Sequence, residues 1–193
     1  MFSINKDILL IHGIDDTSRV FRRMRLHLEE HGWKTHAFDL APPDGSLGLE
    51  ELALQVDRYA NTNLPSKYQL ISFSMGGLVS RYYLQRLGGL KRVDKFITLA
   101  TPHYGTITAY ARFNEAARQM RPNSPFLQDL NRDITQLQEI SFSSIWTPFD
   151  LMIIPANSSH VASANNLQVP VLMHPWMLIS PNCWKAIHKI LSS

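Results

Sequence analysis

Short apolar runs punctuate this chain, and between them the apolar positions change from a continuous to a helical period. The runs are DILLI (7–11), THAFDL (35–40), YQLISF (68–73), KFITLA (95–100), SSIWT (143–147) and VPVLM (169–173). Strands covered by helices on both faces read as near-continuous apolar stretches, whereas a half-solvated sheet alternates. The intervening segments repeat at helical spacing. Residues 17–31 put Val20, Phe21, Met24 and Leu28 on one stripe behind a Thr17 or Ser18 N-cap, and residues 49–60 and 76–87 follow the same pattern. This alternation predicts a doubly wound, mostly parallel sheet of about six strands with helices on both faces. Its site should lie at the carboxyl ends of the strands.

The alternation breaks once. Residues 106–139 read as an insert of two helices, about 106–120 and 125–139, divided by RPNSP (121–125). That segment and APPDGSLG (41–48) are turn-rich connections too short to be linkers. With no internal repeat or low-complexity tract, residues 1–193 are expected to form a single domain.

Composition narrows the classes. The chain has 193 residues, 45% of them hydrophobic, enough for one substantial core. A net charge of +3 and a pI near 9.1 arise from dispersed residues, not a basic tract, so nucleic acid is not an expected partner. The charge favours, if anything, anionic substrates or peripheral contact with a lipid surface. Cys183 is the only cysteine, which excludes an internal disulfide and a Cys-rich metal site. The apolar run 8–11 is shorter than a signal peptide's apolar segment or a transmembrane span and leads into a glycine turn. A cytoplasmic location is the expectation; oligomeric state is not legible.

The chemistry centres on LISFSMGGLVSRYYL (70–84). Ser74 falls between a strand and a helix with small residues on either side, the pattern of a nucleophile elbow whose usual first glycine is here Ser72. Small residues are needed two before and two after the serine because strand and helix backbones nearly touch; Ser72 and Gly76 meet that demand, and Gly77 adds room. The bland alternative is a serine in a Gly-rich turn. In LLIHGI, His12, Gly13 and Ile14 end the first strand, where a backbone N–H can face a developing oxyanion. The Met75 amide, at a helix N-terminus, is the second candidate donor. His12 itself reads as a hydrogen-bonding residue of the loop.

A serine nucleophile needs a base, and the base a carboxylate, in the chain order Ser, acid, His. Among the downstream acids only Asp150 follows a predicted strand, in an apolar setting where a solitary carboxylate is costly. His174 follows VPVLM directly and precedes the last helix, where the base belongs. His160, in a polar loop before that strand, is the alternative, and His188 reads as a surface residue of the last helix. His103 precedes Asp150 and so lines the pocket or bonds locally.

LLIHGI, ISFSMGGLVSRYYL, FITLATPHYGT, PFDLMIIPANSS and VLMHPWML together resemble the α/β-hydrolase superfamily. Within it they look like the small class 2 (triacylglycerol) lipases and lipase-like esterases. The resemblance implies Ser74 as nucleophile, His174 as base and Asp150 as its partner, with the Ile14 and Met75 amides as oxyanion hole. It also implies a carboxylic ester hydrolase that works through an acyl-enzyme and needs no metal or organic cofactor. Two positions depart from the family: Phe73 stands where histidine is common, and MHPWML replaces a G-H-x-x-[ILM] pattern.

Apolar residues near the acid and histidine loops favour esters of apolar acyl groups. The pocket candidates are His12, Phe73, His103, Tyr104, Phe149, Ile154, Pro175 and Trp176. In the insert, Ile107, Tyr110, Phe113, Ala117 and Met120 form a stripe expected to pack on the core, with a lipid-facing lid as the alternative. Two other classes stay open. One uses the same triad as a phospholipid or thioester hydrolase or acyltransferase, and the other is a catalytically silent binding protein.

Overall fold

In the computed structural model, which describes residues 6–193, six parallel strands form one sheet in the order β2-β1-β3-β4-β5-β6. Residues 1–5, on which part of the amino-terminal reading rests, lie outside the described residues. The strands are β1 (Asp7–Ile11), β2 (Lys34–Ala37), β3 (Tyr68–Phe73), β4 (Val93–Leu99), β5 (Ser141–Trp146) and β6 (Asn165–Gln168). The helices are α1 (Arg22–Glu30), α2 (Leu49–Asn63), α3 (Met75–Arg86), α4 (Glu115–Met120), α5 (Pro125–Arg132) and α6 (Pro181–Ser192).

The continuous apolar runs have the cause the pattern implied. Leu9, Ile11, Leu70 and Phe96 point into a core shared with α2, α3 and the insert. Their neighbours Ile8, Leu10, Ile71 and Ile97 point into a second core with α1 and α6. Successive side chains of a strand face opposite sides, so two covered faces favour apolar residues at successive positions. β1 lies between β2 and β3, so the chain reverses direction across the sheet beside β1, and the carboxyl ends of β1 and β3 open onto the crevice.

Two predicted elements differ. The last strand is not VPVLM but the preceding NNLQ, a polar edge strand; Val169 and Val171 pack on the second core, while Leu172 and Met173 are exposed. The insert is broken into shorter pieces, with 3-10 turns at Ile107–Ala111 and Ile134–Glu139 flanking α4 and α5. Its stripe divides accordingly: Ala117 and Met120 are buried, whereas Ile107, Tyr110 and Phe113 are exposed instead of packing on the core.

The second half of the insert is pinned to α3. Arg81, fully buried, donates to the Leu130 carbonyl (2.8 Å) and to Asn131 Oδ1 (2.9 Å). With neutral acceptors only, burial pulls its guanidinium down to about 9. Arg86 adds ion pairs to Asp129 (2.9 Å) and Asp133 (2.8 Å).

Candidate active site

Ser74 sits between β3 and α3 with φ 53° and ψ −126°, a conformation that a non-glycine residue keeps only when its surroundings hold it. Three backbone contacts do so. The Ser74 amide donates to Leu99 O (2.9 Å), and its carbonyl accepts from Gly77 N (3.0 Å) and Thr101 Oγ1 (3.0 Å). The glycines answer to close approach: a Cβ at Gly76 would sit 2.6 Å from the Ile11 carbonyl oxygen, and one at Gly77 would overlap the Thr101 side chain. Ser72, in place of the usual glycine, is fully buried and pairs its hydroxyl with Ser80 Oγ of α3 at 2.7 Å. The hydroxyl that serine adds is therefore satisfied inside the elbow.

The β1 loop comes up beside this turn. A Cβ at Gly13 would lie 3.1 Å from Ser74 Cβ, so only glycine lets the two backbones stand this close without displacement. Met75, the first residue of α3, contributes an amide that has no acceptor within its own helix. His12 is fully buried and accepts from the Leu40 amide through Nε2 (2.9 Å), with Nδ1 against Gly13 O (2.8 Å).

Asp150 and His174 meet across the loops after β5 and β6. His174 Nδ1 donates to Asp150 Oδ2 at 2.7 Å, with both side chains nearly inaccessible. Asp150 Oδ1 accepts from the Met152 and Ile153 amides, both at 2.9 Å, so each carboxylate oxygen is engaged. His174 Nε2, by contrast, is buried and has no hydrogen-bond partner among the described residues. The unusual MHPWML segment fits the geometry. Met173 has extended backbone, φ −133°, that needs no glycine, and Pro175 enters the first turn of a 3-10 helix where a missing N–H costs nothing. Phe73 packs its ring 4.7 Å from that of His174.

Two lobes of one cleft meet at Ser74, Ile14 and Met152. The first, about 260 Å³, is lined by Ala109, Ala111, Ala117, Met120 and Ile153 with Thr106 and Thr108. The second, about 340 Å³, is lined by Asp16, Phe73, His174, Pro175, Trp176 and Ile179. An Arg112–Asp15 ion pair (2.6 Å) ties the insert to the β1 loop over the cleft. Thr106 ties it to the acid loop, with Oγ1 donating to Met152 O (3.0 Å) and accepting from Ile154 N (2.8 Å).

Of the pocket candidates, Phe73, Pro175 and Trp176 line the cleft. His12 does not, because Leu40 holds it beneath the loop. His103 is fully buried away from the cleft with Nε2 on Thr98 Oγ1 (3.1 Å), and burial drives its pKa well below the usual imidazole value. Tyr104, Phe149 and Ile154 line neither lobe. His160 is exposed and packs edge-on against Trp146, and His188 is exposed on α6. From the insert's apolar stripe Ala117 and Met120 line the first lobe, joined by Ala109, which the sequence did not single out, as it did not Asp16, two residues beyond Ile14, in the second lobe. Burial raises the Asp16 carboxyl above its ordinary value, an effect that His12 and His174 partly offset. Among the described residues no three His, Cys, Asp or Glu side chains form a metal-holding group.

The parallel sheet, the strained serine turn and the helices on both faces make this an α/β-hydrolase fold. Solved structures agree: Bacillus licheniformis lipase BlEst2 in mature form superposes with a TM-score of 0.78 over 98% of this chain and 93% of its own, at 16% identity. Aspergillus fumigatus lipase B gives 0.82 over 98% of this chain and 53% of its own, at 18% identity. Residues 7–136 match the model of the palmitoyl protein thioesterase family, and the chain belongs to that family. The match contains Ser74 and stops short of Asp150 and His174. Lysosomal thioesterase PPT2 of Mus musculus is 31% identical over 106 residues, 52% of this chain and 35% of the relative, so the aligned stretch spans about a third of that protein. Its name places the relative in the lysosome; for the present chain, no helix among the described residues is long and apolar enough to cross a membrane.

Proposed function

We propose that this chain hydrolyses acyl thioesters, and oxygen esters of the same apolar acyl groups, with Ser74 as nucleophile, His174 as general base and Asp150 as its orienting carboxylate. The observation that carries this reading is the buried Asp150–His174 pair, whose histidine keeps an Nε2 partnerless among the described residues and lines the same cleft as the strained Ser74. His174 Nε2 takes the Ser74 proton as Oγ attacks the acyl carbonyl, and the Ile14 and Met75 amides receive the negative oxygen. The proton then passes from His174 to the departing thiolate or alkoxide, leaving acyl-Ser74. Water, deprotonated by His174, releases the acid and restores the serine.

The apolar first lobe suits the acyl chain, and the second, bordered by His174, suits the leaving group, which must receive the proton there. At about 260 Å³ the first lobe is smaller than the roughly 300–1,000 Å³ of pockets that bury a whole drug-sized ligand. A long acyl chain would run out over Leu151, which is 78% exposed. The family favours thioesters, while the elbow and the pair serve either leaving atom.

The test pairs S-acyl and O-acyl substrates of one chain length with fluorophosphonate labelling. Labelling of wild type at Ser74 and none in Ser74→Ala is expected, with hydrolysis lost in Ser74→Ala and reduced by about 10⁴-fold in Asp150→Asn. Absence of labelling at Ser74 in folded protein sinks the enzyme reading and favours a binding role.

A further inference from the structure

The outer side of the cleft continues into a basic and apolar face formed by α1, the turn before it and the segment after His174. We infer that this face docks onto an anionic membrane surface. The inference goes beyond the proposed chemistry and does not depend on it.

Arg19, Arg22 and Arg23 are exposed, and none takes part in an ion pair among the described residues. Asp39, which holds the Ser18 amide at 2.7 Å, is the acid that feels the charge of Arg19. Arg25 and Glu29 close the far edge of the patch as a pair of their own at 3.6 Å. Three cations thus face outward with little to neutralise them.

Apolar side chains stand among these charges. Arg19, Arg22 and Arg23 share one surface hollow with Val20, Leu26 and Ile179. Leu26 is 53% exposed and Ile179 38%. Ile179 also borders a neighbouring hollow with Leu172 and Trp176, which are 61% and 46% exposed. Scattered exposed apolar residues need no explanation, but here they adjoin one another and unpaired arginines. An aromatic and aliphatic rim beside cations is the composition that seats a protein at a lipid headgroup layer: the apolar groups enter the interface and the guanidinium groups meet phosphate.

The face is also placed to matter. Val20, Trp176 and Ile179 line the second lobe itself, so a surface that engages them brings the cleft mouth to the lipid boundary. Charge complementarity commits the occupant to an anionic bilayer, as against a neutral one or a second copy of this equally basic chain.

Co-sedimentation of the whole chain with vesicles of phosphatidylcholine alone, or of phosphatidylcholine with phosphatidylserine, tests this. Binding to the anionic vesicles is expected to fall with salt, because exposed charges are screened over about 10 Å at 0.1 M. Arg19→Gln, Arg22→Gln and Arg23→Gln together should lower partitioning on the order of a hundredfold, about fivefold per charge. Unchanged hydrolysis of a water-soluble short-chain ester and an unchanged Tm would show that the variant is folded. Leu172→Ser should weaken binding to the same vesicles without the salt dependence changing. Equal binding to neutral and anionic vesicles, undiminished binding of the triple variant, or no binding overturns the inference. A dimer in solution that the same arginine changes dissociate also overturns it and assigns the face to a second copy.

Discussion

Phe73 lies against His174, ring centroids 4.7 Å apart and tilted by 39°, and both line the second lobe of the cleft. Two departures from the lipase-like pattern, the residue before the serine and the histidine segment, therefore meet in space. Asp150 fixes one ring nitrogen of His174, but a single hydrogen bond leaves the ring free to pivot; the face of Phe73 limits that pivot. Phe73→Leu retains apolar bulk and removes the flat face, so kcat for a soluble ester should fall about ten- to a hundredfold with KM little changed. Steady-state kinetics decide it. An unchanged kcat would mean that Asp150 alone positions the imidazole.

The hydroxyl pair of Ser72 and Ser80 carries a prediction about stability. Both side chains are fully buried and bonded at 2.7 Å. Removing one leaves the other hydroxyl desolvated without a partner, whereas removing both leaves none. Ser72→Ala and Ser80→Ala should each cost about 1 kcal/mol in denaturant unfolding, and the double variant less than either single. Additive losses would show that each hydroxyl has a further partner.

The sequence exposed most plainly what burial on two faces enforces. β1 and β3 coincide with DILLI and YQLISF because most positions of both runs are buried and apolar, and a buried polar residue such as Ser72 is kept only with a partner. The serine elbow was readable because its small residues answer to local backbone clashes, which sequence neighbours report. β6 was misplaced because an edge strand can be polar: NNLQ shows no apolar signal, and the adjacent VPVLM supplies a false one. His12 reads from the sequence as a hydrogen-bonding loop residue as well as a pocket candidate, and His103 as pocket-lining or locally bonded; in each case the local bond holds, because Leu40 and Thr98 set the side-chain direction. That Ala109 and Ala117 line the cleft, and that Arg81 pins the insert to α3, is not legible for the same reason. Each depends on which helix face the tertiary fold turns inward.

Asp16 gives a pH dependence whose sign is determined. Burial raises its carboxyl above the ordinary 3.8, so the folded state holds the proton more tightly than the unfolded chain. Stability from this group is present in acid and is lost as pH rises through the folded value, because the cleft must then hold a partly desolvated charge. Asp16→Asn removes that burden. It should be more stable than wild type at neutral pH, by up to about 1 kcal/mol for a group this exposed, and lose its advantage below pH 3.8. Chemical denaturation of both proteins across this range measures the difference. A variant less stable than wild type at neutral pH would mean that the carboxylate's own hydrogen bonding outweighs its desolvation.

Ala109 and Ala117 test which lobe holds the acyl chain in the proposed reaction. Both are buried and line the first lobe, away from His174, and their small side chains are what leaves that lobe its space. Ala109→Phe adds a ring at the wall of the lobe and changes none of Ser74, Asp150 and His174. A chain that lies in this lobe must then be displaced or shortened, while an acetyl group, which ends near Ser74, is spared. The ratio of kcat/KM for an octanoyl over an acetyl thioester should fall at least tenfold, since each methylene expelled from an apolar site forfeits about 0.8 kcal/mol. Varying the leaving group at constant acyl length supplies the control. If bulky leaving groups suffer and long acyl chains do not, the two lobes exchange roles, and His174 must deliver its proton on the insert side of the cleft.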